Sequence, residues 1–333
     1  MFEKESKMAN RVCEVLNIEK PIVMGPAFWL TNAEFVASVS EAGGLGVLGF
    51  NAGQTVSVYT VEETIDRMRV QIQKVREITD KPIGINIALT PDPEYDIFSM
   101  PMLKLMVEEK VPVAVVGGAI VPESIKKFKD AGIKVVFRPQ NPTAEETKKA
   151  IEAGVDVIVA TGFDEGGTVP ERTIGTFSIV PLVVDAAEGK VPVIAAGGIT
   201  DARTAKAAFA LGAEGLYVGT ALLLSKESPV ADNIKQMAVE ADATDLLMYR
   251  TVPAYYRSLP GELPNRLLEM SKDGASEQEI YEAQHAYDGM RDGMLFGDLS
   301  KGYASFGLGI SMIHSIDPVS VILDRLMSGI PEE

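Results

Sequence analysis

Residues 192–220 read PVIAAGGITDARTAKAAFALGAEGLYVGT. A short apolar run ends in two glycines, an amphipathic helical pattern follows, and Leu-Gly-Ala leads into a second apolar run that ends in Gly-Thr. Parallel strands that are covered on both faces are apolar throughout, and a glycine after a helix supplies its left-handed cap. The stretch therefore predicts a strand, a helix and a second strand parallel to the first.

The same unit recurs over most of the chain. The eight predicted strands are PIVMG from Pro21, GLGVLGF from Gly44, KPIGINIAL from Lys81, PVAVVGG from Pro112, KVVFRP from Lys134, DVIVATG from Asp156, PVIAAGG from Pro192 and GLYVGT from Gly215. Eight uniform βα units favour closure into a barrel over a doubly wound open sheet. We therefore predict an α/β fold, a (β/α)8 TIM barrel.

The pattern changes after Thr220. Residues from about 225 to 300 contain polar helical stretches, a segment broken by prolines (TVPAYYRSLPGELP, 251–264) and no clear strand. The last stretch becomes apolar again and ends in the helical pattern VSVILDRLM. We predict that 1–224 and 301–333 form the barrel, and that 225–300 is a mostly helical insertion on the substrate side.

Charge and composition exclude several partners. The chain has 31 Lys and Arg against 47 Asp and Glu, a net charge of −16, which repels phosphate backbones and anionic headgroups. We expect no nucleic-acid and no membrane partner. The start MFEKESKMANRV has no apolar signal segment, and the single cysteine, Cys13, cannot form an internal disulfide. The expected location is the cytoplasm.

Two glycine-rich strand ends are the first candidate site. A barrel carries its active site at the carboxyl ends of its strands. The seventh predicted strand runs into Gly197 and Gly198, and the eighth into Gly219 and Thr220. Backbone N–H groups there can hold a phosphate without a lysine or arginine. The pattern predicts a phosphate site, and tight turns without a ligand are the alternative.

Other strand ends carry polar or aromatic groups. The segment MGPAFW (24–29) is typical of a rigid stretch beside a flat ligand, or of an apolar lid. Asn86 interrupts the third strand, where its amide either faces the barrel mouth or bonds only to a neighbouring loop, and Arg138 and Gln140 follow the fifth strand as further candidates at the mouth. The loop GFDEGGTVPERT (162–173) follows the sixth and is a candidate catalytic loop, with a solvated connection as the alternative. His285 and His314 are expected to be structural, and no metal-ligand pattern is present.

Several segments together resemble the nitronate monooxygenase family, formerly called 2-nitropropane dioxygenases, which includes the flavin-dependent enoyl-acyl-carrier-protein reductases. They are PIVMGP (21–26), SEAGGLGVLG (40–49), PIGINI (82–87), the run 193–220 and FGDLSKGYASFGLG (296–309). The resemblance implies bound FMN, with its phosphate on Gly197, Gly198, Gly219 and Thr220. It also implies that Met24 and Gly25 lie beside the isoalloxazine ring and that Asn86 hydrogen-bonds to it.

The rest of the predicted site surrounds this cofactor. Further cofactor contacts are expected from Gln140, Gly166 and Gly167, and substrate contacts from Tyr255, Tyr256 and Arg257 in the insertion. The family typically has a Gly-His pair in the loop after the sixth strand, whereas this chain has Gly167-Thr168. Thr168 therefore occupies the position of the usual acid or base, although its hydroxyl is too weakly acidic to exchange protons near neutrality. Asp164, Glu165, Tyr255 and Tyr256 are possible substitutes.

The implied function is an FMN-dependent oxidoreductase that oxidises a small nitronate or reduces a small organic acceptor. An alternative is an enoyl-acyl-carrier-protein or quinone reductase that uses NADH or NADPH as its reductant. An alternative of another class is a barrel that binds FMN or another phosphorylated ligand without catalysis. The expected partner is a small-molecule substrate, and both a monomer and a homo-oligomer stay open.

Overall fold

The computed structural model describes residues 10–58, 60–92 and 94–330. The predicted TIM barrel is confirmed, and each of the eight predicted strands forms. The predicted barrel segments begin at residue 1 and end at residue 333. Residues 1–9 and 331–333 lie outside the described residues. No helix within the described ranges is long and apolar enough to cross a bilayer.

The barrel strands are parallel, and their neighbours follow the order β1-β9-β8-β6-β5-β4-β3-β2. A parallel bridge between Val23 and Leu45, beside β1 and β2, joins the two ends of this order. The strands of the protein are β1 (Ile22–Met24), β2 (Gly46–Leu48), β3 (Ile83–Leu89), β4 (Val113–Gly118), β5 (Lys134–Arg138), β6 (Val157–Thr161), β7 (Thr168–Val169), β8 (Val193–Ala196), β9 (Gly215–Val218), β10 (Leu247–Arg250) and β11 (Tyr255–Ser258).

Helices cover the barrel and make up much of the insertion. They are α1 (Arg11–Leu16), α2 (Ala33–Glu41), α3 (Val61–Ile78), α4 (Ser99–Glu108), α5 (Pro122–Asp130), α6 (Ala144–Ala153), α7 (Thr176–Ala187), α8 (Ala202–Ala210), α9 (Thr220–Leu223), α10 (Asp232–Glu240), α11 (Glu262–Lys272), α12 (Glu277–Ala283), α13 (Asp288–Met290) and α14 (Val319–Met327), with a π-helix at Arg291–Leu295 and a 3-10 helix at Leu308–Met312. The predicted final helix, α14, packs against α2 and α8.

The insertion differs from the prediction because it contains strands. β10 and β11 pair antiparallel, and β11 also pairs with β7 from the segment after β6. Tyr256 lies opposite Thr168 in this small sheet. The strands are only two to four residues long, and the sequence shows no period-two pattern at that length. Their formation depends on the pairing of distant segments.

Candidate functional site

A cavity of about 320 Å³ lies at the carboxyl ends of the barrel strands. This volume is within the range of small-molecule sites. Residues at or just after the carboxyl ends of β1, β3, β4, β5, β8 and β9 line it together with the segment after β6, and the insertion adds Pro253, Tyr256, Tyr287, Met290 and Met294. The barrel and the insertion therefore build one site together.

Most of the predicted site residues meet in this cavity. Those that line it are Gly25, Asn86, Gln140, Gly166, Gly167, Thr168, Gly197, Gly198, Gly219, Thr220 and Tyr256. Met24, Tyr255 and Arg257 do not line it. Met24 is the last residue of β1, and its side chain packs in the hydrophobic core.

The turn after β8 offers backbone donors. Gly197 and Gly198 have φ angles of 104° and 71°, which glycine adopts readily. Within the described chain, the N–H groups of Gly198 and Ile199 have no hydrogen-bond acceptor. The N–H groups of Thr200 and Asp201, in contrast, both donate to Thr204 Oγ1 at 3.0 Å. The turn therefore has donors available for an anion at Gly198 and Ile199, whereas those of Thr200 and Asp201 are already bonded.

The end of β9 leaves open space at Gly219. A Cβ atom placed on Gly219 would meet no described atom within 4 Å, and its φ of −106° suits any residue. The neighbouring Thr220 Oγ1 accepts a hydrogen bond from the N–H of Gly307 at 2.9 Å. This bond joins the predicted phosphate site to the segment after the insertion.

A buried ion pair lies between β5 and the segment after β6. Arg138 Nη2 donates to Glu165 Oε1, and Arg138 Nη1 donates to Gln140 Oε1 at 3.1 Å. Both Arg138 and Glu165 line the cavity, and their side chains are 20% and 10% exposed. Burial raises the pKa of Glu165 to about 7, although Arg138 and Arg257 act in the opposite direction. Glu165 can therefore gain and lose a proton near neutrality.

Tyr217 accompanies this pair. It lies in β9 and lines the cavity. Burial raises the pKa of its phenol above the ordinary value. The charge of Arg138 acts to lower this pKa, and that of Glu165 acts to raise it further. The hydroxyl is therefore protonated at neutral pH and is a hydrogen-bond donor next to the ion pair.

Thr168 belongs to a second group of hydroxyls. Its Oγ1 is 2.8 Å from the Tyr256 hydroxyl, and its carbonyl accepts from Gln140 Nε2 at 2.9 Å. Burial raises the pKa of Tyr256 and that of Tyr287. These groups can donate hydrogen bonds to a ligand, but neither phenol is a base near neutrality.

Aromatic side chains and one amide complete the walls. Phe28 stacks on Tyr287 with ring centroids 4.4 Å apart and on Phe50 at 5.1 Å. Asn86 Nδ2 donates to the carbonyl of Val115 at 3.0 Å, so its Oδ1 is the atom left to accept from a ligand. Phe28 belongs to the segment that the sequence placed beside a flat ligand.

The structure differs from the prediction at Tyr255 and Arg257, which were expected to contact the substrate but do not line the cavity. Successive side chains of a strand point to opposite faces, so Tyr256 faces the cavity and its two neighbours do not. Arg257 is 3% exposed, its Nη1 donates to the carbonyl of Glu165 at 2.7 Å, and its guanidinium lies 4.5 Å from the ring centroid of Phe163. Arg257 thus supports the segment that carries Glu165, and it does not line the cavity.

We expect Arg257→Ala to lower the free energy of unfolding by about 2–4 kcal/mol, since a hydrogen bond from a charged donor contributes about 1.5–3 kcal/mol and the stacking adds to it. Urea unfolding measures this change. Arg266→Ala is the control, because Arg266 is an exposed residue of α11. Equal stability of the two variants would contradict the supporting role.

Two other candidates in the same segment have structural roles. Asp164 Oδ2 accepts from the N–H of Thr176, the first residue of α7, at 2.6 Å, so it caps that helix. A Cβ on Gly166 would lie 2.7 Å from the nitrogen of Gly307, so the predicted close approach is to the chain itself. Of the four substitutes considered for the missing histidine, Glu165 and Tyr256 line the cavity.

Sequence reasoning did not single out several other lining residues, among them Tyr217, Tyr287 and Ser305. Tyr217 stands between Leu216 and Val218 in β9, and the period-two alternation of a strand indicates that it faces inward. Tyr287 and Ser305 reach the cavity through the path of the insertion. No local pattern predicts that path.

Comparison with protein families gives a match over nearly the whole chain. The family described as nitronate monooxygenase matches residues 9–329. A probable nitronate monooxygenase from Staphylococcus aureus is 32% identical and covers 78% of this chain and 79% of its own length. The (3aS,4S,5R,7aS)-5-hydroxy-7a-methyl-1-oxo-octahydro-1H-indene-4-carboxyl-CoA dehydrogenase of Mycobacterium tuberculosis is 33% identical over 78% of this chain and 69% of its own length.

Solved structures give the same fold. FabK from Thermotoga maritima superposes with a TM-score of 0.82 at 32% identity and covers 97% of this chain and 96% of its own. A nitroalkane oxidase from Streptomyces ansochromogenes has a TM-score of 0.77 at 22% identity, with 96% and 97% of the two chains covered. The second comparison supports the fold alone.

Proposed function

The chain belongs to the nitronate monooxygenase family and is a flavin-dependent oxidoreductase, and from this premise we propose that its flavin is FMN. The free N–H groups of Gly198 and Ile199 and the open space at Gly219 suit a terminal phosphate. A bound flavin accepts or donates a hydride equivalent, and the protein supplies its position and surroundings.

We further propose that Glu165 exchanges the substrate proton. The observation that carries this proposal is a buried carboxyl group on the cavity wall, paired with Arg138, at the position three residues before Thr168. A general acid or base is most effective when its pKa is near the working pH. The pKa of Glu165, raised to about 7, meets this condition.

The substrates that need such a group carry a proton on a carbon next to an electron-withdrawing group. A neutral nitroalkane must lose this proton before it is oxidised, whereas a nitronate has already lost it. The first candidate reaction is therefore the oxidation of both forms, with Glu165 as the base for the neutral form. In this reading, the carboxylate that removes the proton is held in place by Arg138.

A second candidate is the reduction of a carbon–carbon double bond next to a thioester carbonyl, with NADH or NADPH as the reductant. FabK, an enoyl-acyl-carrier-protein reductase, and a carboxyl-CoA dehydrogenase are both more than 30% identical to this chain. In this reaction Glu165 would give its proton to the α carbon and would have to be protonated.

The pH dependence separates the two reactions. A base must be ionised, so the rate on a neutral nitroalkane should rise as the pH passes about 7 and then level off. An acid must be protonated, so the rate of enoyl-thioester reduction should fall over the same range. Steady-state rates of the purified enzyme on one nitroalkane and one enoyl thioester test both. A rate on the neutral nitroalkane that does not change between pH 5 and pH 9 would contradict the role of Glu165 as its base.

We expect a small effect from Thr168→Val. The substitution removes the hydrogen bond to the Tyr256 hydroxyl, and such a bond contributes about 1 kcal/mol. The value of kcat/KM should therefore fall by no more than about tenfold. Thr168→Ser is the control and should keep most of the activity. A loss of about 10³-fold or more in Thr168→Val would place Thr168 itself in the proton transfer.

A further inference from the structure

Three hydroxyl groups approach one another on the wall of the cavity at the barrel mouth. They belong to Thr168 in β7, Tyr256 in β11 and Tyr287, which precedes α13, and all three residues line the cavity. Thr168 Oγ1 lies 2.8 Å from the Tyr256 hydroxyl. Burial raises the pKa of Tyr287, and hydrogen bonding from Thr168 and Tyr256 acts to lower it, so the third hydroxyl lies within reach of the other two. We call this set the hydroxyl cluster.

The hydroxyl cluster can donate hydrogen bonds without carrying a charge. Each hydroxyl group has one proton, and burial keeps both phenols protonated at neutral pH. The contact between Thr168 and Tyr256 uses one of the three protons. Arg138 and Glu165, the charged groups among the described lining residues, are paired with each other. The cluster therefore suits oxygen atoms of a ligand that are uncharged or that share a delocalised charge.

Neighbouring aromatic rings fix the positions of the two phenols. The Tyr287 ring stacks on that of Phe28, with centroids 4.4 Å apart and planes at 5°. The rings of Tyr256 and Tyr303 pack edge to face with centroids 5.3 Å apart, and the Tyr303 hydroxyl donates to the carbonyl of Ala286 at 3.1 Å. Donors that are held in place before a ligand arrives stabilise developing charge without a cost of reorganisation.

One amide joins the hydroxyl cluster to the proposed base. Gln140 Nε2 donates to the carbonyl of Thr168 at 2.9 Å, and Gln140 Oε1 accepts from Arg138 Nη1 at 3.1 Å. Arg138 in turn donates to Glu165. The carboxyl group and the hydroxyl cluster are therefore tied together, and both border the same cavity. A substrate whose oxygen atoms bind the cluster keeps its adjacent carbon in the cavity that Glu165 borders.

We propose that the hydroxyl cluster binds the two oxygen atoms of a nitro group and directs the adjacent carbon toward Glu165. This inference rests on the proposed function and names its substrate class, an aliphatic nitro compound, because three donors suit two oxygen atoms, whereas a thioester carbonyl has one. When Glu165 takes the proton, the C–H bond breaks and an O–H bond forms. The electron pair of the broken bond forms a C=N bond, and π electrons of the nitro group move onto its oxygen atoms. The charge that develops there strengthens the hydrogen bonds from the cluster.

Binding of 2-methyl-2-nitropropane tests the inference, because this compound has no hydrogen on its nitro-bearing carbon and can be neither deprotonated nor oxidised there. Calorimetric titration of the flavin-loaded enzyme gives its Kd. Tyr287→Phe keeps the ring and removes one donor, so the Kd should rise about fivefold, which corresponds to about 1 kcal/mol for one hydrogen bond. An unchanged Kd would overturn the inference. Since this binding involves no proton transfer, failure of the proposed function would appear separately, as unaltered rates of Glu165→Gln on neutral nitroalkanes.

Tyr281→Phe is the matched control for a loss of packing. The ring of Tyr281 packs edge to face on that of Tyr287, with centroids 6.2 Å apart, and Tyr281 does not line the cavity. This variant should bind the nitro compound like the wild type, whereas Tyr256→Phe should weaken binding as Tyr287→Phe does. Equal weakening in Tyr281→Phe and Tyr287→Phe would contradict a direct contact with the oxygen atoms.

Two further readouts identify the ligand of the hydroxyl cluster. The affinity for FMN should be the same in Tyr287→Phe as in the wild type, and its loss would place Tyr287 in the flavin site and overturn the inference. Titration with a short enoyl thioester tests the choice of a nitro group. A Tyr287→Phe variant that binds the thioester more weakly and the nitro compound as tightly as before would show that the cluster binds a carbonyl oxygen instead.

Discussion

Gly219→Asp should bind FMN about 10³-fold more weakly than the wild type, or not at all. The new carboxylate would stand in the open space at the end of β9, where we place the phosphate. Two unit charges of like sign about 4 Å apart repel each other by about 4 kcal/mol near a protein surface. This energy corresponds to about three orders of magnitude in affinity. Equilibrium dialysis against FMN, or flavin fluorescence on titration, measures the change.

Gly219→Asn is the matched control, because its side chain has nearly the same size and no charge. The φ of −106° at this position means that neither side chain strains the backbone. The thermal unfolding of both variants without flavin should therefore be close to that of the wild type. Equal FMN affinity of Gly219→Asp and Gly219→Asn would show that the phosphate lies elsewhere.

Glu165→Gln should lower the rate on a neutral nitroalkane by about 10²–10⁴-fold, which is the usual contribution of a positioned general base. Glutamine can still accept the hydrogen bond from Arg138 but cannot take up a proton. The rate on the preformed nitronate of the same compound should change by less than about tenfold, because that form has no proton to lose. Steady-state rates on the two forms, at a pH where they interconvert slowly, provide the comparison.

The pH profile gives a second readout for this variant. The wild-type rate on the neutral form should rise as the pH passes about 7, in line with the raised pKa of Glu165, and Glu165→Gln should lose this step. An equal loss on both forms of the compound would mean that the substitution disturbs the site as a whole, and the assignment of Glu165 as the base would then be wrong.

The barrel could be predicted from the sequence because its signals are local. Each strand is an apolar run, and glycines with left-handed φ angles, such as Gly154 and Gly212, follow the helices at the predicted places. The glycines of the site could be predicted for the same reason, since a barrel brings all carboxyl strand ends to one face. Eleven of the predicted residues therefore line one cavity.

The sheet formed by β7, β10 and β11 could not be predicted, because each strand is short and its partner is distant in the chain. The direction of Tyr255, Tyr256 and Arg257 depends on that sheet, so the sequence alone does not show that Arg257 contacts Glu165 and Phe163 and does not line the cavity. The pairing of Arg138 with Glu165 depends on the approach of the segment after β6 to the end of β5. Burial of this pair, and not its position in the sequence, shifts the pKa of Glu165.

This chain is an oxidoreductase, and we propose that it holds FMN in the cavity at the barrel mouth. Denaturation of the purified protein, followed by chromatography of the released flavin, tests it most directly. We predict a yellow protein that releases FMN at about one molecule per chain. The release of FAD, or a colourless protein that takes up no FMN when it is supplied, would contradict the assignment of FMN to this cavity.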